Sequence, residues 1–374
     1  MIAPEEIVDI LQLINSENLG PITFYKLLEK FGTAKAAIEN IGQLKKVRLW
    51  PREKAVAVFE NAARQKIELI SYNDGRYPQL LRGLNDAPPL LFVRGNCECL
   101  NFSAGISVVG ARNASINGRK TASRIAYDLT NKGIMVVSGM ARGIDAAAHK
   151  GALYAQNQCG ATVAVLGTGV DIPYPDENAG LYEQITEQGC IISELLPGSQ
   201  PQANNFPRRN RIVAALTQGT LVVEATAQSG SLITAQLAAD YGRELFAVPG
   251  SPTEPRSIGP NRLIKSGAHL VETAEDIVKH IHSISACSQP RRKAQKQKEF
   301  DFAAIESPNN APAKGQTKII DYLNADGVYV DEIIRASGLD AAQVALELLE
   351  LEMDGRIERQ SGNKVALIKQ KSSR

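Results

Sequence analysis

Two short glycine-containing loops, each with an arginine, carry the residue types that could bind phosphate. They span residues 110–112, with Arg112, and residues 138–143, with Arg142. Each loop follows a short apolar run rich in β-branched residues and precedes a helical pattern, so its free N–H groups would lie at a helix N-terminus. Backbone donors beside a guanidinium group suit a phosphate. The two loops therefore predict a binding site for a phosphorylated ligand.

A second basic segment, residues 204–211, contains three arginines, an aromatic ring and several asparagines, and the pattern places it just before a helix. Its arginines could bind phosphates in two-point geometry, and Phe206 could stack on a base if its ring is exposed. Alternatively, Phe206 fills the core and some arginines pair with Glu194 or Glu224. We expect both descriptions to hold in part.

A third loop of small residues, 227–231, follows Glu224 and again offers N–H groups and hydroxyls at a helix start. Common catalytic signatures are absent: the P-loop spacing, the third glycine of a dinucleotide fingerprint and the Gly-x-Ser-x-Gly elbow are all missing. Asp145 and His149 stand four residues apart, but one such pair is more typical of a cap and packing arrangement than of catalysis. We predict no catalytic site, no metal site and no cofactor.

The elements that must position these loops follow from the stretch 106–153, which reads twice as strand, glycine loop and helix. Further short apolar runs alternate with helical patterns as far as residue 271. This alternation predicts an extended Rossmann-like α/β domain with a doubly wound, mostly parallel sheet and right-handed crossovers. The loops would then meet at the carboxyl ends of the strands, where open α/β sheets bind their ligands.

Composition changes divide the chain into four predicted segments. Residues 1–66 form a small helical domain that resembles a sterile-alpha-motif or helix-hairpin-helix domain, although a plain helical bundle fits equally well. Basic residues surround Trp50 there, a pattern more typical of a solvated helix face than of a binding site. Residues 67–283 form the Rossmann-like domain, and residues 284–315 form a flexible linker rich in proline, lysine and glutamine.

Residues 316–374 are predicted to form three helices and a hairpin with its turn at residues 361–363, which is a winged-helix arrangement. The third helix is acidic, with Glu347, Glu350, Glu352 and Asp354. Because acidic helices repel phosphate, this domain is expected to bind protein rather than DNA.

The overall composition excludes several classes of protein. The chain has 42 Lys+Arg against 40 Asp+Glu, so a polyanionic partner must be bound by a local patch. Its five cysteines show no disulfide or zinc spacing, which indicates reduced thiols. No apolar run approaches membrane length, and residues 1–6 do not read as a secretion signal. We therefore expect a cytoplasmic protein.

Several of these motifs occur in an order that resembles the DNA-processing protein A family, also called Smf, of bacterial natural transformation. They are VVGARNAS, SGMARGIDAAAH, TVAVLGTGVDIPYP, FPRRNRIVAAL, EATAQSGSLITA and AVPGS. The resemblance covers roughly residues 67–281. It implies a protein that binds and protects single-stranded DNA, forms homodimers through the Rossmann-like domain and loads the RecA recombinase during natural transformation.

The resemblance also implies DNA contacts by Arg112 and by the segments 138–143, 209–211 and 229–231. Together with the residues argued from chemistry above, the predicted DNA contacts are Gly110, Arg112, Ser138, Gly139, Arg142, Phe206, Arg208, Arg209, Asn210, Arg211, Ser229, Gly230 and Ser231. The wider superfamily includes nucleotide-processing enzymes with a catalytic glutamate in a PGGxGT loop, but residues 229–234 of this chain lack it. A nucleotide-processing enzyme and a winged-helix regulator of duplex DNA are the alternative functions.

Overall fold

The computed structural model describes residues 3–41, 47–155, 162–281, 319–323, 327–354, 356–360 and 364–368. Its centre is a nine-stranded sheet. The strands are β1 (Glu68–Ser71), β2 (Leu90–Gly95), β3 (Gly105–Val109), β4 (Met135–Ser138), β5 (Thr162–Val165), β6 (Cys190–Ser193), β7 (Gly219–Val222), β8 (Glu244–Ala247) and β9 (His269–Leu270). The predicted α/β class is confirmed.

The strand order is β1-β2-β6-β5-β4-β3-β7-β8-β9, and all pairings from β6 to β9 are parallel. The segment before β3 contributes β1 and β2, which extend the sheet in the antiparallel sense. The chain places β4, β5 and β6 on one side of β3 and then continues with β7 on the other side. The carboxyl ends of β3 and β7 therefore form the topological switch point of the sheet.

Helices connect the strands and cover both faces of the sheet. They are α5 (Gln79–Arg82), α6 (Ile116–Asn131), α7 (Ile144–Tyr154), α8 (Ala179–Gln188), α9 (Asn205–Ala215), α10 (Gly230–Asp240), α11 (Ile258–Lys265) and α12 (Ala274–Val278). The bounds of α6 follow local chemistry: Ser115 caps it by accepting from the Gly118 N–H at 2.9 Å, and Gly133 follows its end with φ of 78°.

The arginine-rich segment is the clearest local difference from expectation. It was placed before a helix, but α9 begins at Asn205 and includes it. Pro207 is tolerated there because the first turn of a helix needs no N–H donor. Since successive helical residues point about 100° apart, the three arginines cannot all face the same way.

The N-terminal part is a helical unit of α1 (Pro4–Ile14), α2 (Pro21–Phe31), α3 (Ala34–Glu39) and α4 (Arg52–Arg64). Its buried side chains, among them Leu11 and Phe24, join Phe92 and Ile191 of the sheet in one apolar cluster. Within the basic cluster around Trp50, the Arg52 guanidinium is 2.5 Å from the Asp9 carboxylate, and Lys45 and Lys46 lie outside the described residues.

The C-terminal unit contains a 3-10 turn (Ile319–Tyr322), α13 (Val330–Ser337), α14 (Ala341–Met353) and a three-stranded sheet of β10 (Val328–Tyr329), β11 (Ile357–Gln360) and β12 (Lys364–Leu367). This is the predicted winged helix. The predicted linker and the hairpin turn at 361–363 lie outside the described residues. Among the helices described, none has the length and apolar character needed to cross a membrane.

Candidate nucleic-acid interface

A cleft of about 710 Å³ opens at the carboxyl edge of the sheet, at the switch point between β3 and β7. All three loops singled out from the sequence contribute to its lining, and so does the first half of α9. The lining includes Gly110, Arg112, Gly139, Phe206, Arg209, Asn210, Ser229, Gly230 and Ser231 from the predicted set. Most of the predicted contact residues therefore line one cleft.

The first loop is held by close backbone packing. The Ala111 N–H donates to the Glu224 carbonyl at 2.7 Å, and a Cβ at Gly110 would come within 2.5 Å of the Ile144 side chain. Only glycine fits at this position. The loop then presents Arg112 as an exposed side chain, with its guanidinium 5.7 Å from the centre of the Phe206 ring. A cation and an aromatic face thus stand together at the mouth of the cleft.

The second loop is organised around a buried carboxylate. Asp145 is 6% exposed and accepts from the Gly139 N–H at 3.1 Å and the Ala141 N–H at 3.3 Å. Burial raises the pKa of Asp145, while Arg209 and these N–H donors act in the opposite direction. Asp145 therefore fixes the loop from inside, which confirms the cap and packing interpretation. His149, the other residue of the pair considered in the sequence, is fully buried, and its Nδ1 atom lies 2.8 Å from the Thr162 hydroxyl.

Two predicted residues of this loop, Ser138 and Arg142, are not part of the cleft lining. The Ser138 hydroxyl is buried and donates to the Val108 carbonyl at 2.6 Å. Arg142 is exposed, but its guanidinium is 2.6 Å from the Glu177 carboxylate.

Arg209 forms the floor of the cleft. It is 6% exposed, and its guanidinium donates to the main-chain carbonyls of Gly139 and Val165. Burial lowers its pKa to about 10, with Asp145 acting against the shift and Arg112 adding to it. At neutral pH the side chain therefore still carries a positive charge directly beneath the second loop.

The other arginines of α9 face a different direction. Arg211 is 8% exposed and is bound to the Glu194 carboxylate, with Asp86 at 3.6 Å on its other side. Burial raises the pKa of Glu194, and Arg211 opposes that rise. Arg208 is largely exposed, 4.0 Å from Glu194. The expectation that some arginines pair with Glu194 is confirmed for Arg211, whereas Glu224 accepts from Ser115 instead.

Phe206 is half-buried and packs against Tyr174 and Gly167. Its ring centre is 5.4 Å from that of Tyr174, and Gly167 packs so closely that a Cβ there would be 2.9 Å from the ring. Phe206 thus packs against the protein and is also part of the cleft lining. The two expectations for this residue, core contact and a stacking surface, are compatible in this position.

The third loop begins α10. The Ser229 hydroxyl caps the helix, accepting from the Ser231 N–H at 3.4 Å and lying 2.7 Å from the Ser231 hydroxyl. Gly230 is exposed, with nothing within 4 Å of the position of a Cβ. The N-terminal amides of an 11-residue helix therefore open onto the cleft.

The predicted set omits Arg256, which lies in the cleft lining, and Tyr174, which packs against the Phe206 ring. Arg256 lines the cleft and donates to the Asn113 carbonyl at 2.9 Å. Arg256 lies shortly after the AVPGS motif, and that motif is the sequence feature that could have drawn attention to it. Tyr174 lies in the DIPYP motif and was not separated from its neighbours. No cluster of three or more His, Cys, Asp or Glu side chains suited to a metal occurs in the described ranges.

A Rossmann-like fold with an arginine-containing cleft at its switch point, together with a helical unit and a winged helix, defines an α/β protein whose cleft lies at the usual binding edge of such sheets. The sequence profile described as DNA recombination-mediator protein A matches residues 68–282. Profiles described as a DprA-like N-terminal HHH domain and a DprA winged helix domain match residues 4–63 and 304–363. The chain belongs to the DNA recombination-mediator protein A family, so the resemblance to the DprA/Smf family is confirmed.

Individual relatives agree with this assignment. The chain is 44% identical over 214 residues to DNA processing protein DprA of Streptococcus pneumoniae, covering 57% of this chain and 74% of the relative. It is 36% identical over 304 residues to protein Smf of Escherichia coli, covering 80% of this chain and 77% of the relative.

Two solved structures share the fold. The S. pneumoniae DprA crystal structure superposes with a TM-score of 0.62 at 33% identity, covering 75% of this chain and 98% of that one. Helicobacter pylori DNA processing protein A, studied for its single-stranded DNA binding mode, has a TM-score of 0.52 at 26% identity, covering 57% of this chain and 94% of that one.

Proposed function

We propose that this protein binds single-stranded DNA in the cleft at the switch point, and that it protects incoming strands and loads RecA on them during natural transformation. The observation that carries the proposal is the pairing of Arg112 with Phe206 at the mouth of a cleft lined by three loops of backbone donors. Such a surface offers phosphate contacts and a stacking face together. The relative from H. pylori, which binds single-stranded DNA, supports it.

A single strand fits this cleft better than a duplex. Phe206 is half-buried at the end of a sheet, so a base must be unstacked from its neighbours to reach it. Duplex readout instead needs a helix or ribbon in the major groove, and the cleft is built from loops and helix N-termini. The acidic α14 provides no such helix, since Glu350 and Asp354 are exposed on it.

The predicted DNA contacts divide into two roles. Arg112 and Arg208 are exposed and would contact phosphates, and the loop at Gly230 would donate N–H groups to them. Arg209 and Arg211 have their guanidinium groups bound to protein acceptors, so we assign them a positioning role. Arg209 holds the second loop, and Arg211 fixes α9 against Glu194.

The finer parts of the proposal concern partners. The matching family is described as a DNA recombination mediator, and we propose RecA as the recombinase that this chain serves. We propose a homodimer through the Rossmann-like domain, and a cytoplasmic location where RecA acts. Light scattering over a concentration series tests the dimer, and co-sedimentation of RecA with the DNA-bound protein tests the partnership.

A salt-series titration tests the central proposal. A labelled oligothymidylate and a duplex of the same length are titrated with the full chain, and anisotropy is measured. We expect tighter binding of the single strand, with a linear fall of log K against log salt. Equal affinity for the duplex, or no binding of either, would contradict the proposal.

A further inference from the structure

The winged helix lies directly against the start of α6, next to the first loop of the cleft. Ile116, the first residue of α6, is 1% exposed and belongs to the apolar core of the winged helix, together with Ile319, Leu323 and Ile333. This side chain therefore completes a core that the C-terminal unit does not close by itself. The apolar contact between the two units is therefore centred on Ile116.

Three cationic side chains beside Ile116 also contact the winged helix. The Lys120 amine is 2.7 Å from the Glu332 carboxylate. Arg256 donates to the main-chain carbonyls of Asp321 at 3.0 Å and Leu323 at 3.3 Å. The Arg119 guanidinium lies 5.9 Å from the centre of the Tyr322 ring. The winged helix thus supplies partners to all three cations: a carboxylate, two main-chain carbonyls and an aromatic ring. These groups occupy the positions in which the cations could contact the phosphates and a base of a strand.

These contacts extend into the cleft itself. Asp321 and Leu367 of the winged helix are part of the cleft lining, beside Asn113 and Arg256. A carboxylate and an apolar side chain at this position give nothing to a phosphate, and the carboxylate repels it. The docked winged helix therefore narrows one end of the cleft and opposes the charge that the ligand requires.

We propose that the docked winged helix covers a second phosphate-binding segment of the single-stranded DNA path, formed by Arg119, Lys120 and Arg256, and that strand and winged helix compete for it. The proposal rests on the function proposed above. A strand leaving the first loop would continue along α6 only after the winged helix has moved away. The apparent affinity for the strand is then the intrinsic affinity multiplied by the fraction of molecules in which the winged helix is undocked.

Charge reversal at Glu332 in the full chain tests the competition. Glu332→Lys removes the ion pair with Lys120 and repels it, so the affinity for oligothymidylate should rise, by up to about five-fold. The salt dependence should steepen, because each added phosphate contact contributes about 0.7 to the slope on a single strand. Unchanged or weaker binding would overturn the proposal.

Asp331→Lys is the matched control. Asp331 is the exposed neighbour of Glu332 on α13, and the substitution makes the same change of charge. It should leave the affinity unchanged. An equal gain in both variants would show that added positive charge, rather than release of the winged helix, strengthens binding, and would overturn the proposal.

A zero-length coupling reaction on the unmodified protein provides a second measurement. A carbodiimide joins the Lys120 amine to the Glu332 carboxylate only while they are in contact, and the product is measured by peptide mass spectrometry. Saturating oligothymidylate, which has no amine, should reduce the yield several-fold. The Lys132–Glu275 pair, at 2.9 Å on the opposite end of α6, is the internal control and should be unaffected.

The two proposals fail in different ways. If anisotropy shows no binding of the oligonucleotide, the proposed function itself is wrong. If the oligonucleotide binds and the Lys120–Glu332 product forms as before, the winged helix stays docked on the bound state and only the competition is wrong.

Discussion

The guanidinium of Arg209 lies directly beneath Gly139, so close that a Cβ on Gly139 would be 2.6 Å from its Cζ atom. The same guanidinium donates to the Gly139 carbonyl. The two residues therefore depend on each other. The loop can approach the buried guanidinium only because Gly139 has no side chain, and the guanidinium in turn holds the loop by donating to the Gly139 main chain.

Gly139→Ala is expected to destabilise the protein, because the methyl group must displace a guanidinium that is held by two carbonyls. Overpacking of this kind costs about 1–3 kcal/mol. Gly230→Ala is the control, since a Cβ there meets nothing within 4 Å. Thermal melting should show a fall of several degrees for the first variant only. Equal melting temperatures would contradict the packing described for Gly139.

Arg112→Ala and Arg209→Ala should have different consequences. Arg112→Ala should weaken single-strand binding, lower the salt slope by about 0.7 and leave the melting temperature unchanged. Arg209→Ala leaves the buried carbonyls of Gly139 and Val165 without their donor, which costs about 1–3 kcal/mol of folding stability for each unsatisfied group. Anisotropy across a salt series, with melting curves, separates the two. Wild-type binding by Arg112→Ala would move the DNA site away from the first loop.

Phe206→Leu should lower affinity without changing the slope of log K against log salt. Stacking of a base on an aromatic ring is worth about 1–3 kcal/mol and releases no counterions. If Phe206 serves only to pack against Tyr174 and Gly167, the variant will instead melt at a lower temperature and bind normally when folded. Tyr174→Leu, which removes the ring behind Phe206, should reproduce the loss in part.

Acidification should destabilise the protein through His149. Burial, with Arg209 nearby, lowers the pKa of His149 to about 3, against an ordinary value of about 6.5. The unfolded chain thus binds a proton that the folded chain does not. The contribution is fully present above pH 6.5 and is lost as the pH falls toward 3, by up to about 1.4 kcal/mol per pH unit.

His149→Asn should flatten this dependence, because asparagine keeps a polar group near Thr162 but does not titrate. Asp145 acts with the opposite sign, since its raised pKa favours the folded state as the pH falls, so the comparison must be between variant and wild type at each pH. Urea unfolding between pH 4 and 8 measures it. Parallel curves for the two proteins would contradict the role of His149.

Incubation with ATP, nucleoside monophosphates or labelled DNA should leave these compounds intact. Three carboxylates near the carboxyl ends of the strands are each bound to protein groups: Glu224 to Ser115, Glu194 to Arg211 and Asp145 to the second loop. Chromatography of the products after long incubation is the measurement. Hydrolysis that co-purifies with the protein and is lost in Glu224→Gln would favour the enzyme alternative.

The sequence predicted the sheet, the start of α6 and the three loops because each depends on local chemistry. The β-branched runs ending at glycine became β3 and β4, and Ser115 capped α6 where a helix start was expected. Loops after parallel strands must meet at one edge, so their joint position also followed from the pattern.

What the pattern did not reveal depends on tertiary contact. Because Arg208, Arg209 and Arg211 all lie inside α9, helical geometry points them in different directions, and packing of α9 on the sheet leaves Arg208 exposed while Arg209 and Arg211 are buried. The winged helix docks on Ile116. From the sequence alone, this residue is simply an apolar side chain on the surface of an amphipathic helix. Nothing local distinguishes an apolar side chain that awaits a second unit from one that faces its own sheet.

The position of β3 between β4 and β7 has a consequence for how the protein matures during synthesis. Chains are made and fold from the N-terminus, so the first two loops exist before β7 and α10 have been translated. Until Gly219 arrives to pair with Ile106, one edge of β3 has unpaired main-chain groups and the cleft has a single wall. A nascent chain on the ribosome should therefore be unable to hold DNA, and affinity should appear abruptly once α10 has emerged.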